Sequence, residues 1–270
     1  MAVVSRGVRE LRIRSGSGMA IRALLSSAND PHHAAFTEDW TTMTVQTLNR
    51  EMYSEAEVAR LLGISQSSLN YWLEGGVRRG KTYRPVIRVE ARGGRAPVTW
   101  AEFVEAGLLR SYRRSQVPMR ELRAFIDLQR KRYDLPHPLA HRQPFIGDRH
   151  LLFADQETAQ LAPDYALVTD LHGQYLLAAP AEDFLHRVTW DGDLAAGWRP
   201  SGDPASPVRI DPDVRFGRPA IKGISTEVIR EHRQAGESDD EIADAFDMTP
   251  DDITWALAYE LGTATTQTAA

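Results

Sequence analysis

The chain has 270 residues, of which 42% are hydrophobic and 26% charged, a composition typical of a globular protein with about two domains. It contains no cysteine, which excludes disulfides, thiolate metal sites and cysteine nucleophiles. No apolar run approaches the roughly 18 residues that span a membrane, and the first residues lack the apolar core of a signal peptide, so we expect a cytoplasmic protein.

The net charge of −5 at pH 7 conceals a strong separation of charge along the chain. Residues 53–142 contain 17 Lys and Arg against 9 Asp and Glu, a net charge of +8. Residues 143–270 contain 9 against 23, a net charge of −14. Because a basic segment attracts phosphate and an acidic one repels it, the charges predict that only the first of these segments binds nucleic acid.

Residues 1–52 precede the first clearly patterned segment. They show no sustained hydrophobic periodicity up to residue 42 and are rich in Gly, Ser, Asn and Pro, which favour loops. We predict that residues 1–52 form a disordered extension. A start site assigned too far upstream, or an arm that packs on a partner, would give the same composition.

The segment from residue 53 to residue 76 has the pattern of a helix-turn-helix. Ser54 and Glu57 have the spacing of a capping box, which begins the first helix. Gly63 suits the left-handed turn at the end of that helix, and Ser65 caps the second helix. The second helix has an apolar inner face made of Leu69, Trp72 and Leu73. We predict a DNA-binding unit, with a small helical core piece that touches no nucleic acid as the alternative.

The basic segment behind the second helix predicts a wing. Residues 86–89 have the composition of a strand, Gly93-Gly94 is typical of a hairpin turn, and residues 98–100 supply the return strand. Short hydrogen-bonding side chains on the second helix suit base edges and phosphates, and the arginines of the loop and wing suit phosphates. The predicted DNA-binding residues are Ser65, Gln66, Ser67, Ser68, Asn70, Tyr71, Arg78, Arg79, Lys81, Arg84, Arg92 and Arg95.

Two further helices complete a predicted winged domain over residues 53–142. Thr99 and Glu102 form a capping box for the first of them, and Pro118 suits the first turn of the second. The second helix carries an apolar stripe made of Met119, Leu122, Ile126 and Tyr133. This stripe is either intramolecular core or the seam of a dimer, and we expect a dimer because symmetric operators reflect dimeric proteins.

The acidic half begins with residues 143–206, whose short apolar runs and linker predict small strands but no particular function. Residues 207–262 have the pattern of three capped helices, with a capping box at Ser238 and Glu241, and residues 263–270 form a tail. The last two of these helices also have helix-turn-helix spacing. Their outer face is acidic, however, and phosphate would repel it, so we predict a protein-binding unit.

Motifs of catalysis are absent from the sequence. It has no glycine-rich phosphate loop and no nucleophile elbow. His137 and His141 have a metal-chelating spacing, but Pro138 lies between them and no third ligand is near. We therefore predict that the protein is not an enzyme and uses no cofactor and no metal. The predicted fold is mainly α with small β elements, an N-terminal winged helix-turn-helix plus a C-terminal three-helix domain.

Two stretches resemble known families. Residues 53–74 with the following wing resemble the winged helix-turn-helix of MerR-like regulators. Residues 208–259 resemble a small domain of unknown function that accompanies bacterial antitoxins. The shared motifs are Asp211-Pro212, Phe216-Gly217-Arg218-Pro219, Ile221-Lys222-Gly223 and Ala235-Gly236-Glu237-Ser238, whereas Ile224-Ser225 replace the usual Thr-Arg. Over about residues 53–260 the chain therefore resembles a VapB-type antitoxin.

This resemblance implies a type II toxin–antitoxin system. The implied partners are the protein's own operator, as double-stranded DNA, and a PIN-type ribonuclease toxin. Because the active site of such a ribonuclease is acidic, basic residues are the toxin-binding candidates: Arg215, Arg218 and Lys222. The alternative for Arg218 is a purely structural role, in which its side chain stabilises the turn that contains it. The alternative function is a MerR-like transcription factor that senses a small molecule through its C-terminal half, which an aromatic-lined pocket would support.

Overall fold

The structure is a computed structural model that describes residues 46–93, 96–114, 118–141, 158, 168–171, 174–177 and 179–268. Over these residues the chain is mainly α with small β elements, as the sequence predicts, and each sheet has two antiparallel strands. None of the described helices is long and apolar enough to cross a membrane.

The basic half of the chain is built from short elements. Its helices are α1 (Glu55–Leu62), α2 (Gln66–Glu74), α3 (Trp100–Arg114) and α4 (Met119–Tyr133). Its strands are β1 (Glu51–Tyr53), β2 (Gly76–Arg78), β3 (Lys81–Tyr83) and β4 (Val98–Thr99). A 3-10 helix, Pro138–Ala140, follows α4.

The acidic half contains further hairpins and a second group of helices. Its helices are α5 (Ala179–Arg187), α6 (Thr226–Gln234), α7 (Asp239–Phe246) and α8 (Pro250–Thr268). Its strands are β5 (Val168–Leu171), β6 (Gln174–Leu177), β7 (Val188–Asp191), β8 (Leu194–Trp198), β9 (Ala220–Ile221) and β10 (Ile224–Ser225). A 3-10 turn, Arg215–Gly217, precedes β9.

Local caps set the ends of α1 and α2. Ser54 Oγ accepts the Glu57 amide at 3.2 Å, and Ser65 Oγ accepts the Ser68 amide at 3.3 Å, so each serine satisfies a free donor at a helix start. Gly63 has a φ of 58°, the left-handed conformation that ends α1 and turns the chain into α2. The two predicted short helices and the glycine turn between them are therefore present.

The hairpin predicted over residues 86–100 is wrong. Strand β4 pairs with β1, and residues 86–90 form bends. The amides of Val86 and Ile87 both donate to the Trp72 carbonyl, at 2.8 and 3.0 Å, which ties this segment to the end of α2. Arg88 is turned inward and is buried. These contacts join residues that are distant in sequence, so local composition does not show them.

A hairpin does follow α2, but it lies earlier in the chain. Strands β2 and β3 pair around Arg79-Gly80, which have φ values of 52° and 72°. Two successive residues with positive φ are what the two-residue turn of a hairpin requires. Gly75, with a φ of 76°, leads from α2 into β2, and a Cβ atom on it would lie 2.3 Å from the Tyr83 carbonyl oxygen.

The last residues of the predicted disordered extension are ordered, so the prediction for residues 1–52 is wrong there. Leu48 is only 5% exposed, and β1 pairs with β4. Arg50 Nη1 donates to the Pro212 carbonyl at 2.9 Å. A single buried leucine and a three-residue strand are too short to produce a visible periodicity. Residues 1–45 lie outside the described part of the chain.

Residues 179–198, from the predicted middle segment, contribute to the core of the basic half. Four of their side chains are buried there, namely Phe184, Val188, Ala195 and Trp198. Trp100 Nε1 donates to the Ala195 carbonyl at 2.6 Å. Ile210 belongs to the same core and exchanges two backbone hydrogen bonds with Trp198, at 2.7 and 2.8 Å. The predicted boundary at residue 207 therefore does not separate two cores.

The apolar stripe of α4 is mainly intramolecular core. Leu122 and Ile126 are 2% and 1% exposed and pack in the same cluster as α1–α3. Met119 is only partly buried against that cluster. Pro118 stands at the cap of α4, one position before the first turn where we predicted it. These two buried side chains are not free to form a dimer seam.

The three helices α6–α8 have a small core of their own around Ile229, Ile242 and Ile253. The predicted capping box at the start of α7 is present, with both of its hydrogen bonds. Tyr53 Oη donates to the Gly217 carbonyl at 2.9 Å in a buried contact, which joins this domain to β1. The contact between Tyr53 and the Arg215–Gly217 turn and that between Arg50 and Pro212 thus connect the two cores.

Candidate nucleic-acid interface

Helix α2 presents two different faces. Its inner face is buried through Leu69, Trp72 and Leu73, as predicted. Gln66 and Ser67 are exposed at its start. Ser65 Oγ is occupied at the helix cap, where it also donates to Ser68 Oγ at 2.9 Å. Gln66 and Ser67 are therefore the side chains of this helix that are best placed to meet a ligand, while Ser65 and Ser68 hold the helix start.

Asn70 lies between the helices instead of on an outer surface. Its Nδ2 donates to both carboxylate oxygens of Glu55, at 3.2 and 3.1 Å. Glu55 stands in the first turn of α1 and is 9% exposed. The contact links α1 to α2 and occupies the Asn70 amide, so the predicted role of Asn70 in reading bases has no support from its position.

The hairpin β2–β3 brings cations and aromatic rings beside α2. The Arg78 guanidinium lies 3.9 Å from the centre of the Tyr71 ring, a cation–π contact. The Tyr83 ring meets Tyr71 edge-on, with 6.2 Å between their centres, and Lys81 Nζ lies 5.5 Å from the Tyr83 ring. Arg78, Arg79 and Lys81 are exposed, so the hairpin and α2 form one basic and aromatic surface.

The remaining predicted arginines lie elsewhere. Arg84 forms an ion pair with Asp127 of α4. Arg92 forms ion pairs with Glu51 at 2.7 Å and with Glu102 at 2.9 Å, which hold its loop against β1 and α3. Arg95 lies outside the described residues. Among the predicted cations that the structure describes, Arg78, Arg79 and Lys81 stand on the hairpin that follows α2.

A buried ionic network connects the end of α2 to the start of α3. Arg88 is 2% exposed and forms ion pairs with Glu74, at the end of α2, and with Glu102, at 2.9 Å. Glu102 also accepts the Thr99 amide at 3.0 Å, in the predicted capping box. Burial alone raises the pKa of Glu102, but the hydrogen bonds of Arg88 and Thr99 and the charge of Arg92 outweigh it and hold that pKa below its usual range.

Arg88 was not selected from the sequence, because an arginine within a predicted strand is usually expected to point into solvent. The apolar neighbours Ile87 and Val89 could have indicated that Arg88 is buried. A buried arginine in turn implies a paired carboxylate, because charged residues are seldom buried unless they are paired. A carboxylate partner had to lie elsewhere in the chain, and sequence spacing does not identify it.

The predicted toxin-binding residues surround the turn before α6. Arg215 Nε donates to the Gly223 carbonyl at 2.7 Å, whereas Arg218 pairs with Glu227 at 3.0 Å. Lys222 pairs with Asp252 at 3.0 Å. All three side chains are exposed and each has a partner within the domain. The bracing role considered for Arg218 is therefore consistent with its ion pair.

Phe216, at the centre of this turn, is a residue that sequence reasoning did not select. It is 87% exposed, and its φ of 54° lies in the left-handed region. Arg215 before it and Gly217 after it also have positive φ, 49° and 70°. Left-handed backbone in residues other than glycine costs about 1–2 kcal/mol each, and such strain clusters at functional positions. The turn thus displays an aromatic side chain at a cost in stability.

The chain is similar in sequence to a protein family and to two proteins of Mycobacterium tuberculosis. Residues 208–259 match the model of a family described as a protein of unknown function, DUF433. "Uncharacterized protein Rv2308" of Mycobacterium tuberculosis (strain ATCC 25618 / H37Rv) is 32% identical over 226 residues, 78% of this chain and 91% of that protein. "Putative antitoxin VapB45" of the same organism is 27% identical over 221 residues, 76% of this chain and 92% of that protein.

A solved structure has the same fold. The X-ray crystal structure of Rv2018 from Mycobacterium tuberculosis superimposes with a TM-score of 0.63 at 23% sequence identity, over 78% of this chain and 99% of that chain. The arrangement of helices and small sheets described above is therefore shared by a second protein over nearly its whole length.

Proposed function

The chain belongs to the family of the Mycobacterium tuberculosis protein Rv2308, and within that family we propose that it acts as a DNA-binding antitoxin. In this proposal it binds its own operator as a homodimer, represses its own operon and neutralises a PIN-type ribonuclease toxin. The similarity to a relative that carries the name "Putative antitoxin VapB45" supports a toxin–antitoxin role. The proposed DNA-binding unit is a winged helix-turn-helix in which β2–β3 is the wing.

The observation that carries the proposal is the composite surface of α2 and the β2–β3 hairpin. It combines exposed polar side chains at the start of a helix with three exposed cations on the adjoining hairpin. Cations bind backbone phosphates in any sequence, and polar side chains on a helix read base edges. The Tyr71 ring, which Tyr83 meets edge-on, holds the Arg78 guanidinium over its face, so less conformational freedom is lost when Arg78 meets a phosphate.

The acidic domain suits a different partner. Its helices begin with clusters of carboxylates, Asp239, Asp240 and Glu241 in α7 and Asp251 and Asp252 in α8. These charges repel phosphate, so we assign the domain to toxin binding. Phe216, Arg218 and Lys222 are exposed on this domain, and aromatic side chains and arginine are enriched at protein interfaces.

A salt titration tests the DNA-binding part of the proposal. We expect the affinity of the full chain for its own promoter to fall steeply with salt, by about 0.9 log–log unit for each neutralised phosphate. Replacing both Arg78 and Lys81 with glutamine removes up to two such contacts, so the slope decreases by up to about two units. Gln66→Ala instead reduces discrimination between operator and unrelated DNA. The expected loss is about 1–3 kcal/mol if Gln66 forms a pair of hydrogen bonds with one base.

Arg233→Gln is the matched control, because Arg233 is an exposed cation of α6 that pairs with Asp239, far from α2 in sequence. It should leave the salt slope unchanged. Salt-independent binding of the wild-type chain, or equal slopes for all variants, contradicts the assignment. The mass of the free protein in solution, which we expect to be that of a dimer, tests the assembly.

A single substitution tests the toxin-binding part. Phe216→Ala removes the exposed ring without disturbing a core, so folding is retained while affinity for the co-expressed neighbouring toxin falls by about 2 kcal/mol or more. Val89→Ala, at a side chain 60% exposed in the basic half, is the control. Toxin affinity and growth after co-expression are the readouts, and equal protection by both variants refutes the contact. A deletion from residue 207 is unsuitable because it removes Ile210 from the core of the basic half.

One observation favours the alternative, a transcription factor that senses a small molecule. A cleft of about 280 Å³ lies between α1 and α8 and is lined in part by Arg60, Trp255 and Tyr259. Among the described residues, Tyr259 Oη has no hydrogen-bond partner and is buried. A small-molecule extract that releases the protein from its operator, when the purified toxin does not, would favour this alternative over the antitoxin.

A further inference from the structure

A second cleft, of about 340 Å³, lies beside the proposed DNA-binding surface. The start of α2, the β2–β3 hairpin and the end of α3 enclose it. Four arginines line it, namely Arg78, Arg110, Arg113 and Arg114. None of the described residues that line this cleft is acidic. A concave surface with four cations and no carboxylate has the charge that an anion requires.

Arg110 is the least compensated of these cations. Its Nε is buried and has no hydrogen-bond partner among the described residues. Burial, together with the positive charges of Arg114 and Arg187, outweighs the opposing charge of Asp183 and lowers the pKa of Arg110 to about 10. A desolvated guanidinium beside other cations lowers the stability of the folded protein, and a bound anion would offset this cost by pairing with the charge.

The start of α2 borders the same cleft. Ser65 and Ser68 line it, and they stand at the N-terminus of a nine-residue helix. The Ser68 amide is occupied by Ser65 Oγ, so what the helix start contributes is the partial positive charge of a helix N-terminus, which favours negatively charged groups. The start of α2 and the guanidinium groups of α3 therefore line one cleft, although the two helices are far apart in sequence.

We propose that this cleft binds a phosphate group through Arg110 and Arg114, with Arg78 and the start of α2 completing the site. Guanidinium groups match phosphate oxygens with paired hydrogen bonds, so phosphate is the anion that four arginines recognise best. The site goes beyond the proposed reading of an operator, because it accepts a free phosphate without DNA. A backbone phosphodiester and a phosphorylated small molecule offer the same chemistry, and the experiment distinguishes them.

Thermal unfolding of the full chain tests the site with inorganic pyrophosphate as the probe, against sodium chloride at equal ionic strength. We expect a saturable rise in Tm for the wild-type protein, because a ligand that binds only the folded state stabilises it. Arg110→Gln should abolish this rise while leaving Tm in chloride equal to or above that of the wild type, because it removes a desolvated charge. A merely structural arginine would instead lower Tm in chloride.

Arg114→Gln should weaken pyrophosphate binding at least tenfold in calorimetry, and Lys131→Gln, at an exposed cation of α4 that does not line the cleft, should not. The source of the phosphate follows from the operator assay. If Arg110→Gln lowers the salt slope by about one unit and weakens operator and unrelated DNA equally, the source is the DNA backbone. If pyrophosphate binding depends on Arg110 but DNA affinity does not, the source is a small molecule.

Failure of this inference differs from failure of the proposed function. The site is overturned if pyrophosphate does not stabilise the wild-type chain and if Arg110→Gln and Arg114→Gln leave its DNA affinity unchanged. This holds even if operator binding is specific. A chain that binds no DNA but loses pyrophosphate binding on Arg110→Gln keeps the site and overturns the proposed function.

Discussion

Replacement of Glu102 with alanine is expected to destabilise the protein by about 3 kcal/mol, because it strands part of a buried charge: the Arg88 guanidinium keeps only one of its two buried carboxylate partners, Glu74. Arg88 and Glu102 are each 2% exposed and are joined by two hydrogen bonds, at 2.9 and 3.1 Å. Total stabilities of about 5–15 kcal/mol make this a large fraction of the whole. Chemical denaturation of the purified variant measures it.

Two further variants separate the mechanism from a general packing defect. Arg92→Gln removes a partner of Glu102 that is 34% exposed, so it should cost no more than about 1 kcal/mol. The double variant Glu102→Ala with Arg88→Met removes the stranded charge, while Glu74 keeps its hydrogen bond from the Gly93 amide, so it should recover part of the stability. A double variant as unstable as Glu102→Ala alone would show that the stranded charge is not the cause.

The same carboxylate predicts a pH dependence. Since the folded structure holds the pKa of Glu102 below its usual value of 4.5, its contribution is present above that value and is lost as pH falls through the lowered pKa. The stability difference between wild type and Glu102→Gln should therefore narrow below about pH 4. Urea denaturation between pH 7 and pH 3 measures it, and a constant difference would argue against the ion pair.

The second large effect is expected for Gly217→Ala, which should destabilise the joint between the two cores by about 2–5 kcal/mol. An added Cβ atom would lie 2.0 Å from Tyr53 Oη and 2.7 Å from Met52 Cε, too close for either atom to remain in place. Displacing Tyr53 leaves the buried Gly217 carbonyl without its donor, and a φ of 70° adds strain in any residue with a side chain.

Gly223→Ala is the matched control for this prediction. Gly223 has a φ of 81°, but a Cβ atom on it would meet nothing within 4 Å. It should show only the conformational cost of about 1–2 kcal/mol. Denaturation and limited proteolysis of both variants provide the comparison. If Gly223→Ala costs as much as Gly217→Ala, the destabilisation comes from backbone conformation, and the contact with Tyr53 contributes nothing.

The sequence by itself determined the features that depend on neighbours within about four residues. Helix caps involve side chains and amides three positions apart, so Ser54, Ser65 and Ser238 were predictable as helix starts. Helical periodicity placed Leu69 and Leu73 on a buried face, and both are 0% exposed. The separation of charge along the chain also follows from composition alone.

Only the tertiary structure decided where distant segments meet. Residues 86–88 pack on the end of α2 and bury Arg88, so they are not free to form the predicted hairpin strand. Asn70 contacts Glu55, and Gly107 lies so close to Trp198 that a Cβ atom on it would be 2.9 Å from the ring. Each contact joins residues whose separation in sequence carries no periodic signal, and the burial that stabilises it exists only after the chain has folded.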